Sequence, residues 1–196
     1  MAKVAIYGGN FDPPHLGHVL VITNVLNAGL VDEIVLIPAG DDRYDKELYA
    51  SSEHRTKMLE IIISESFSSF PLSIDMSQVD GSLPQGSRAI DLIRNFKSKR
   101  KIEELYFVIG SDNIQHLTSW ANFDDLLNEV KFISVPRSGF EIENVPKYIC
   151  QLKDNVVPIN NFSSSKIRQM ILANKCLAGI LPDGIVNYIN KTGIYK

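Results

Sequence analysis

Short runs of apolar residues alternate along this chain with longer stretches in which apolar residues recur at helical spacing. Continuous apolar or β-branched runs are typical of strands that are buried on both faces of a sheet. They occur at residues 4–7, 33–37, 105–109 and 132–135, and weaker ones at 72–76 and 156–159.

The stretches between these runs have the periodicity of amphipathic helices. They cover residues 16–28, 52–67, 83–96, 112–129 with a break near Trp120, 164–174 and 183–190. Residues 43–51 are polar and irregular, and 138–154 are mixed, so both are expected to connect elements.

Strands that alternate with helices predict an α/β protein with a parallel sheet and helices on both faces. The 196 residues fit a single domain, 1–196, with residues about 163–196 as a small C-terminal helical part. Ligands of such sheets bind beyond the carboxyl ends of the strands, where the strand order reverses. The segments 8–18, 110–112 and 136–137, and the one from Gly40 onward, follow strand ends, so we expect them to converge.

The composition of the chain limits its possible partners and its cellular location. A net charge of -3 argues against a broad nucleic-acid surface, so an anion site would have to be local. The two cysteines do not have the spacing of a metal site, and no apolar run is long enough to span a membrane. Strand-like sequence begins by residue 4, so we expect no signal peptide before it. We therefore expect a cytoplasmic protein without a membrane partner, and a homo-oligomer remains open.

The loop after the first strand reads GGNFDPPHLGH, residues 8–18, and leads into a helix. Its glycines allow backbone angles and close approaches that a side chain forbids, and His15 and His18 would share one helix face. With the dipole and free N–H groups of the helix start, these histidines suit a phosphate. The alternatives are two structural histidines or a metal site, although no third ligand is evident. The sequence has neither a G-x-G-x-x-G nor a Walker pattern.

A second loop, residues 162–168 with the sequence FSSSKIR, again lies between a predicted strand and a helix. Its serines could simply cap the helix. Lys166 and Arg168, however, would oppose the dipole in a first turn, and a bound polyphosphate would offset that repulsion.

Together the two loops resemble the G-G-T-F-D-P-x-H-x-G-H and I-S-S-T-x-I-R signatures of the nucleotidyltransferase superfamily. Gly110-Ser111-Asp112, Trp120 and the ending from Leu181 to Tyr195 make the chain similar to the bacterial nicotinate-nucleotide adenylyltransferases. The resemblance implies a Rossmann-like fold. It also implies transfer of an adenylyl group from ATP to nicotinate mononucleotide in NAD biosynthesis, which yields deamido-NAD and pyrophosphate. Mg²⁺ would enter with ATP, without protein ligands of its own.

The resemblance also implies the roles of individual residues. His15, His18 and Arg168 would be catalytic, and Ser164, Ser165 and Arg168 would hold the β- and γ-phosphates. The expected ATP-binding set is Gly8, Gly9, Asn10, Phe11, His15, His18, Gly110, Asp112, Ser164, Ser165, Arg168 and Lys46. Arg43 competes with Lys46 for the role of loop cation.

The acceptor side departs most from the family pattern. Residues 86–92 read GSRAIDL where the family tends toward S-Y-T-x-x-T-L, so Arg88 and Asp91 fall on two threonine positions. The expected acceptor-binding residues are Arg88, Asp91, Trp120 and Arg137. Trp120 could equally be a core residue.

Three alternatives to this function remain open. Nicotinamide mononucleotide could be the acceptor, alone or together with nicotinate mononucleotide. Pantetheine-phosphate adenylyltransferase shares the first signature but usually has a shorter chain. A non-catalytic nucleotide-binding regulator is the third alternative, and the intact His15 and His18 count against it.

Overall fold

Six parallel strands form the sheet around which the described residues are arranged. The structure is a computed structural model, and it describes residues 1–41, 47–80, 82–84, 87–140, 144–153, 156–157 and 162–196. The strands are β1 (Ala2–Gly9), β2 (Glu33–Pro38), β3 (Leu72–Ile74), β4 (Ile102–Gly110), β5 (Lys131–Val135) and β6 (Ile149–Gln151). They lie side by side in the order β3-β2-β1-β4-β5-β6.

Helices connect these strands or, for the last two helices, follow β6 in the chain. They are α1 (Leu16–Asn27), α2 (Ser52–Ser66), α3 (Ala89–Lys99), α4 (Phe123–Glu129), α5 (Ser164–Leu172) and α6 (Asp183–Thr192), and a 3-10 helix runs over Ser111–Ser119. The break expected near Trp120 is present, because this residue follows the 3-10 helix and precedes α4.

Hydrophobic residues cover both faces of the sheet, as the continuous apolar strands predict. Alternate residues of β2 point to opposite faces, Ile34 and Leu36 to one and Val35 and Ile37 to the other. The first face packs against α1, α2, α5 and α6, and the second against α3, α4 and the 3-10 helix. The α/β class with a parallel sheet between helices is therefore confirmed.

The third helix begins six residues later than its periodicity predicts, at Ala89 rather than residue 83. Before it, the N–H of Ser87 donates to the carbonyl of Pro84 at 3.2 Å, and the described residues among 83–88 are not helical. The carboxylate of Asp91 accepts the N–H of Arg88 at 2.9 Å and so caps the helix where it does start.

The sixth strand is not where the sequence predicts it. Val156 and Val157, the described part of the expected strand, are not in the sheet. The side chain of Asn24 hydrogen-bonds both backbone groups of Val157. Its amide nitrogen donates to the carbonyl at 2.9 Å, and its amide oxygen accepts the N–H at 2.8 Å. The sheet is instead completed by Ile149–Gln151, within the stretch expected to be a connector.

The order of the strands determines where a ligand can bind. From β1 the chain winds outward through β2 to β3, and then returns to place β4 on the other side of β1. The order therefore reverses between β1 and β4, and a crevice opens beyond their carboxyl ends. Within the described ranges, no helix is both long and apolar enough to cross a membrane.

Candidate active site

A cleft of about 1370 Å³ opens at the carboxyl ends of β1 and β4. Its lining includes most of the residues that the sequence nominates: Gly8, Gly9, Asn10, Phe11, His15, His18, Arg88, Gly110, Asp112, Trp120, Arg137, Ser164, Ser165 and Arg168. Asp91 does not line it. Lys46 and its competitor Arg43 lie outside the described residues.

The start of the first loop is shaped by a buried aromatic ring. Phe11 has a φ of 50°, and its side chain is buried between Tyr7 and His18, with ring centroids 5.5 and 5.0 Å away. A Cβ on Gly9 would lie only 3.0 Å from the Phe11 ring. Close approach is therefore the reason for Gly9, while the left-handed backbone falls on Phe11.

His15 and His18 form a stacked pair at the start of α1. Their ring centroids are 3.8 Å apart with an interplanar angle of 25°. His15 occupies the N-cap position, and its backbone N–H donates to Nδ1 of His18 at 3.1 Å. The spacing that predicts a shared helix face thus brings the two imidazoles into direct contact.

Neither imidazole carries a charge at neutral pH. Burial, reinforced by the charge of Arg137, lowers the pKa of His15 to about 4. Burial also lowers the pKa of His18 well below its ordinary value, with smaller contributions from His15 and Arg137. Because both rings are neutral, they can contribute N–H donors rather than positive charge.

Gly17 allows the two loops to meet beside this pair. A Cβ at this position would lie 2.9 Å from Nδ1 of His15 and 2.9 Å from Cβ of Phe162. Phe162 belongs to the second loop, and its ring stacks on His15 with centroids 5.7 Å apart. The glycine between the two histidines of the signature is therefore required by packing on both sides.

The second loop is also bonded directly to the first. Ser163 caps α5, and the Ser164 hydroxyl donates to the carbonyl of Pro13 at 3.0 Å. Nη1 of Arg168 donates to the carbonyl of Asp12 at 2.6 Å and lies 3.6 Å from its carboxylate, while Nη2 reaches Ser165 Oγ at 3.3 Å. The two signatures therefore form one unit.

These contacts correct one step of the sequence argument, which found a structural purpose for Arg168 only in a bound anion. The guanidinium bonds to Asp12 and lies 4.0 Å above the ring of Tyr49. Its side chain is only 14% exposed. Arg168 consequently holds the loops together whether or not a phosphate is bound.

Arg137 connects the end of β5 to both neighbouring segments. Its Nη1 pairs with Asp112 at 2.7 Å, its Nη2 donates to the carbonyl of Phe162 at 3.0 Å, and its N–H donates to Ser111 Oγ at 2.9 Å. This arrangement joins Arg137 to the residues expected around ATP. Its role toward the acceptor stays a prediction.

On the acceptor side, the two residues that depart from the family pattern, Arg88 and Asp91, have different surroundings. The carboxylate of Asp91 is engaged as the cap of α3, where it also lies 3.9 Å from Nε of Arg88. The Arg88 side chain is 54% exposed and lines the cleft. Trp120 packs its ring against Phe107, 5.8 Å away, and also lines the cleft, while its role toward the acceptor stays a prediction.

Arg55 is a site residue that sequence reasoning missed. Its fully buried guanidinium donates to the carbonyls of Asn10, Ala39 and Ala50 at 2.7–3.0 Å and pairs with Asp41 at 2.7 Å. It thereby joins the loop after β1 to the loop after β2. The available signal was an arginine in step with the apolar face of α2, where a charge is tolerated only with partners.

No resident metal site emerges from the described residues, which contain no group of three or more His, Cys, Asp or Glu side chains able to hold an ion.

Comparison with known proteins identifies the family. Residues 6–170 match the family described as Cytidylyltransferase-like. The nicotinate-nucleotide adenylyltransferase of Bacillus subtilis is 34% identical over 197 residues, with 100% of each chain covered. A probable nicotinate-nucleotide adenylyltransferase of Bacillus licheniformis is also 34% identical, over 199 residues and 100% of each chain.

The fold agrees with solved structures as well. The nicotinic acid mononucleotide adenylyltransferase of Plasmodium falciparum superposes with a TM-score of 0.81 at 25% identity, in complexes with NaAD and with APC. The match covers 100% of this chain and 98% of the other. This chain therefore belongs to the cytidylyltransferase-like family and, within it, to the nicotinate-nucleotide adenylyltransferases.

Proposed function

We propose that this protein transfers the adenylyl group of ATP to nicotinate mononucleotide, forming deamido-NAD and pyrophosphate in NAD biosynthesis. The observation that carries the proposal is the direct bonding of the two signatures in one cleft. Ser164 donates to Pro13, and Arg168 donates to Asp12. This arrangement presents the start of two helices and a guanidinium to the same space, which suits a polyphosphate.

In the proposed reaction an oxygen of the acceptor phosphate attacks the α-phosphorus of ATP. The bond from the α-phosphorus to the bridging oxygen breaks, and that oxygen leaves with pyrophosphate. The acceptor phosphate is already ionised at pH 7, so no side chain has to remove a proton from it. Catalysis then depends on positioning and on stabilising the charge that develops on the phosphates.

The cleft residues divide this task by chemistry. The neutral rings of His15 and His18 supply N–H donors toward the phosphates, where negative charge accumulates as pyrophosphate leaves. Arg168 and the start of α5 hold the β- and γ-phosphates. Gly110 and Asp112, at the end of β4, lie along the adenosine. Mg²⁺ enters as part of the ATP substrate and neutralises phosphate charge there.

The acceptor proposal depends on Arg88. Arg88 lines the cleft, and its guanidinium can form a charge-assisted bidentate pair with the carboxylate of nicotinate, whereas the neutral amide of nicotinamide offers it a single uncharged acceptor. Charge complementarity therefore favours nicotinate mononucleotide. The cytoplasmic setting and the oligomeric state considered from the sequence stay predictions.

Pyrophosphate release tests the proposal. The purified protein is incubated with Mg²⁺ and ATP, together with nicotinate mononucleotide, nicotinamide mononucleotide or phosphopantetheine. We expect release with the first acceptor at the highest kcat/KM. Release only with phosphopantetheine would identify a different transferase, and ATP binding without release in any mixture would indicate a regulator.

A further inference from the structure

The penultimate residue of the chain reaches back to the first signature loop. The hydroxyl of Tyr195 donates to Oδ1 of Asp12 at 2.7 Å, across 183 positions of sequence. After α6 ends at Gly193, Tyr195 itself adopts a φ of 67°, a left-handed conformation that is unfavourable for a bulky residue. The backbone of Tyr195 is therefore strained in the conformation that brings its hydroxyl to the first signature loop.

Three hydrogen-bond donors and one guanidinium surround the carboxylate of Asp12, which is only 2% exposed. Oδ1 accepts from Tyr195 and from the N–H of Ala50 at 3.0 Å. Oδ2 accepts the N–H of Tyr49 at 2.8 Å and faces Nη1 of Arg168 at 3.6 Å. Since a buried carboxylate is costly without partners, these four groups together fix its orientation.

Asp12 in turn determines where the guanidinium of Arg168 lies. The backbone carbonyl of Asp12 accepts a hydrogen bond from Nη1 of Arg168, and the Asp12 carboxylate attracts the same nitrogen. The Tyr49 ring lies 4.0 Å from the guanidinium, and the backbone N–H of Tyr49 donates to the carboxylate of Asp12. Three contacts of the Arg168 guanidinium therefore depend on this one residue, and a fourth joins its Nη2 to Ser165 Oγ at 3.3 Å.

Tyr195 acts in this network only as a donor. Burial and the neighbouring Asp12 raise the pKa of its hydroxyl, so the phenol stays protonated. Replacing it with phenylalanine would keep the ring in place and leave Oδ1 with Ala50 as its remaining donor.

We propose that Tyr195 is a positioning residue for the phosphates of ATP, because it fixes Asp12 and Asp12 fixes Arg168. This inference rests on the proposed function, in which Arg168 holds the β- and γ-phosphates. It adds that the C-terminal turn, far from the signatures in sequence, is part of the phosphate site.

The test compares Tyr195→Phe with Tyr188→Phe. Tyr188 is a matched control, since its hydroxyl bonds to His54 Nδ1 at 2.8 Å and it does not line the cleft. Calorimetric titration measures the Kd of ATP and of AMP, which lacks the β- and γ-phosphates. We expect Tyr195→Phe to raise the Kd of ATP about tenfold, the equivalent of about 1.4 kcal/mol, and that of AMP less than about twofold. Tyr188→Phe should change neither.

A double-mutant cycle with Arg168→Ala tests the route of the effect. If Tyr195 acts through Arg168, Tyr195→Phe should have no further effect on ATP binding once Arg168 is absent. Additive effects would overturn the proposal. So would an unchanged Kd of ATP, an equal loss for ATP and AMP, or a Tyr195→Phe protein that fails to fold while Tyr188→Phe folds.

The wild-type protein separates this failure from failure of the proposed function. Absence of pyrophosphate release with every acceptor would contradict adenylyl transfer, whatever the binding results. Release by the wild type together with an unchanged ATP-to-AMP discrimination in Tyr195→Phe would overturn only the role of Tyr195.

Discussion

The backbone N–H of His15 donates to Nδ1 of His18 over 3.1 Å, and this bond determines which nitrogen of His18 carries the proton. Because Nδ1 accepts a hydrogen bond and the ring is neutral, the proton lies on Nε2. Burial, which lowers the pKa of His18, keeps the ring in that state at neutral pH. The ring is therefore prepared as a donor before any nucleotide binds, without reorganisation during the reaction.

Loss of this donor should affect turnover more than folding. We expect His18→Ala to lower kcat by about 100- to 1,000-fold, the usual cost of removing one donor to a transition-state oxyanion. Steady-state kinetics and a thermal melt of the same preparation check this. A folded His18→Ala protein whose kcat lies within a few-fold of the wild type would show that the histidine is structural.

The sequence predicted the sheet, both helical layers and the convergence of the segments 8–18, 110–112 and 136–137, because continuous apolar strands and the segments that follow their ends are local signals. That the second signature shares the phosphate site with the first was implied only by the family resemblance. The sequence pattern misplaced the sixth strand, since the partner of Val157 is Asn24, 133 positions away. It also extended α3 toward residue 83, although the helix starts at Ala89 behind the Arg88–Asp91 cap. The first error arises from a contact between distant parts of the chain that no local pattern encodes, whereas the second overlooked a local capping signal.

For the site, too, the sequence predicted residues but not the contacts that hold them. The signatures nominated the histidines, but not Arg55, whose four partners lie on the loops after β1 and β2. Asp12 and Tyr195 belong to motifs visible in the sequence, yet their hydrogen bond exists only once the chain ends have met. The residue types thus predicted which side chains could bind phosphate. The contacts that hold those side chains in place form only in the folded chain.

Removing the buried guanidinium of Arg55 should destabilise the protein. Arg55→Met would leave the carbonyls of Asn10, Ala39 and Ala50 and the carboxylate of Asp41 without this partner. Breaking a buried charged network by removing one member typically costs about 3–5 kcal/mol, although the half-exposed Asp41 can regain water and reduce the loss. Urea denaturation followed by circular dichroism measures the free energy of unfolding. As a control, Lys57→Met on the same helix removes a surface pair with Glu60 and should leave the free energy of unfolding nearly unchanged.

The stability of the protein should depend on pH through His15. The unfolded chain binds a proton near pH 6.5, whereas burial lowers the folded-state pKa of His15 to about 4. The unfolded state therefore binds more protons between these values, so the free energy of unfolding falls as pH drops from 6.5 toward 4. The full effect of this histidine amounts to about 3 kcal/mol.

Melting temperatures of the wild type and His15→Gln between pH 4.5 and 8 test this dependence. The wild type should lose stability more steeply than the variant below pH 6.5, and the two slopes should agree above pH 7. Identical slopes over the whole range would mean that His15 is not buried as a neutral ring. His116→Gln is a suitable control, because His116 lies on the surface.

The acceptor preference should depend more on Arg88 than on Asp91. Both depart from the family pattern, but Arg88 lines the cleft whereas the Asp91 carboxylate caps α3. We expect Arg88→Thr to lower kcat/KM for nicotinate mononucleotide about tenfold, as the loss of a partly solvated charge-assisted hydrogen bond would. The value for nicotinamide mononucleotide and the KM for ATP should change less than about twofold. Asp91→Ala should lower the free energy of unfolding by about 1 kcal/mol through loss of the cap, and should change the acceptor ratio much less than Arg88→Thr does. An acceptor ratio that is the same in Arg88→Thr and the wild type would contradict the assignment and return the choice of acceptor to other groups of the cleft, Trp120 first among them.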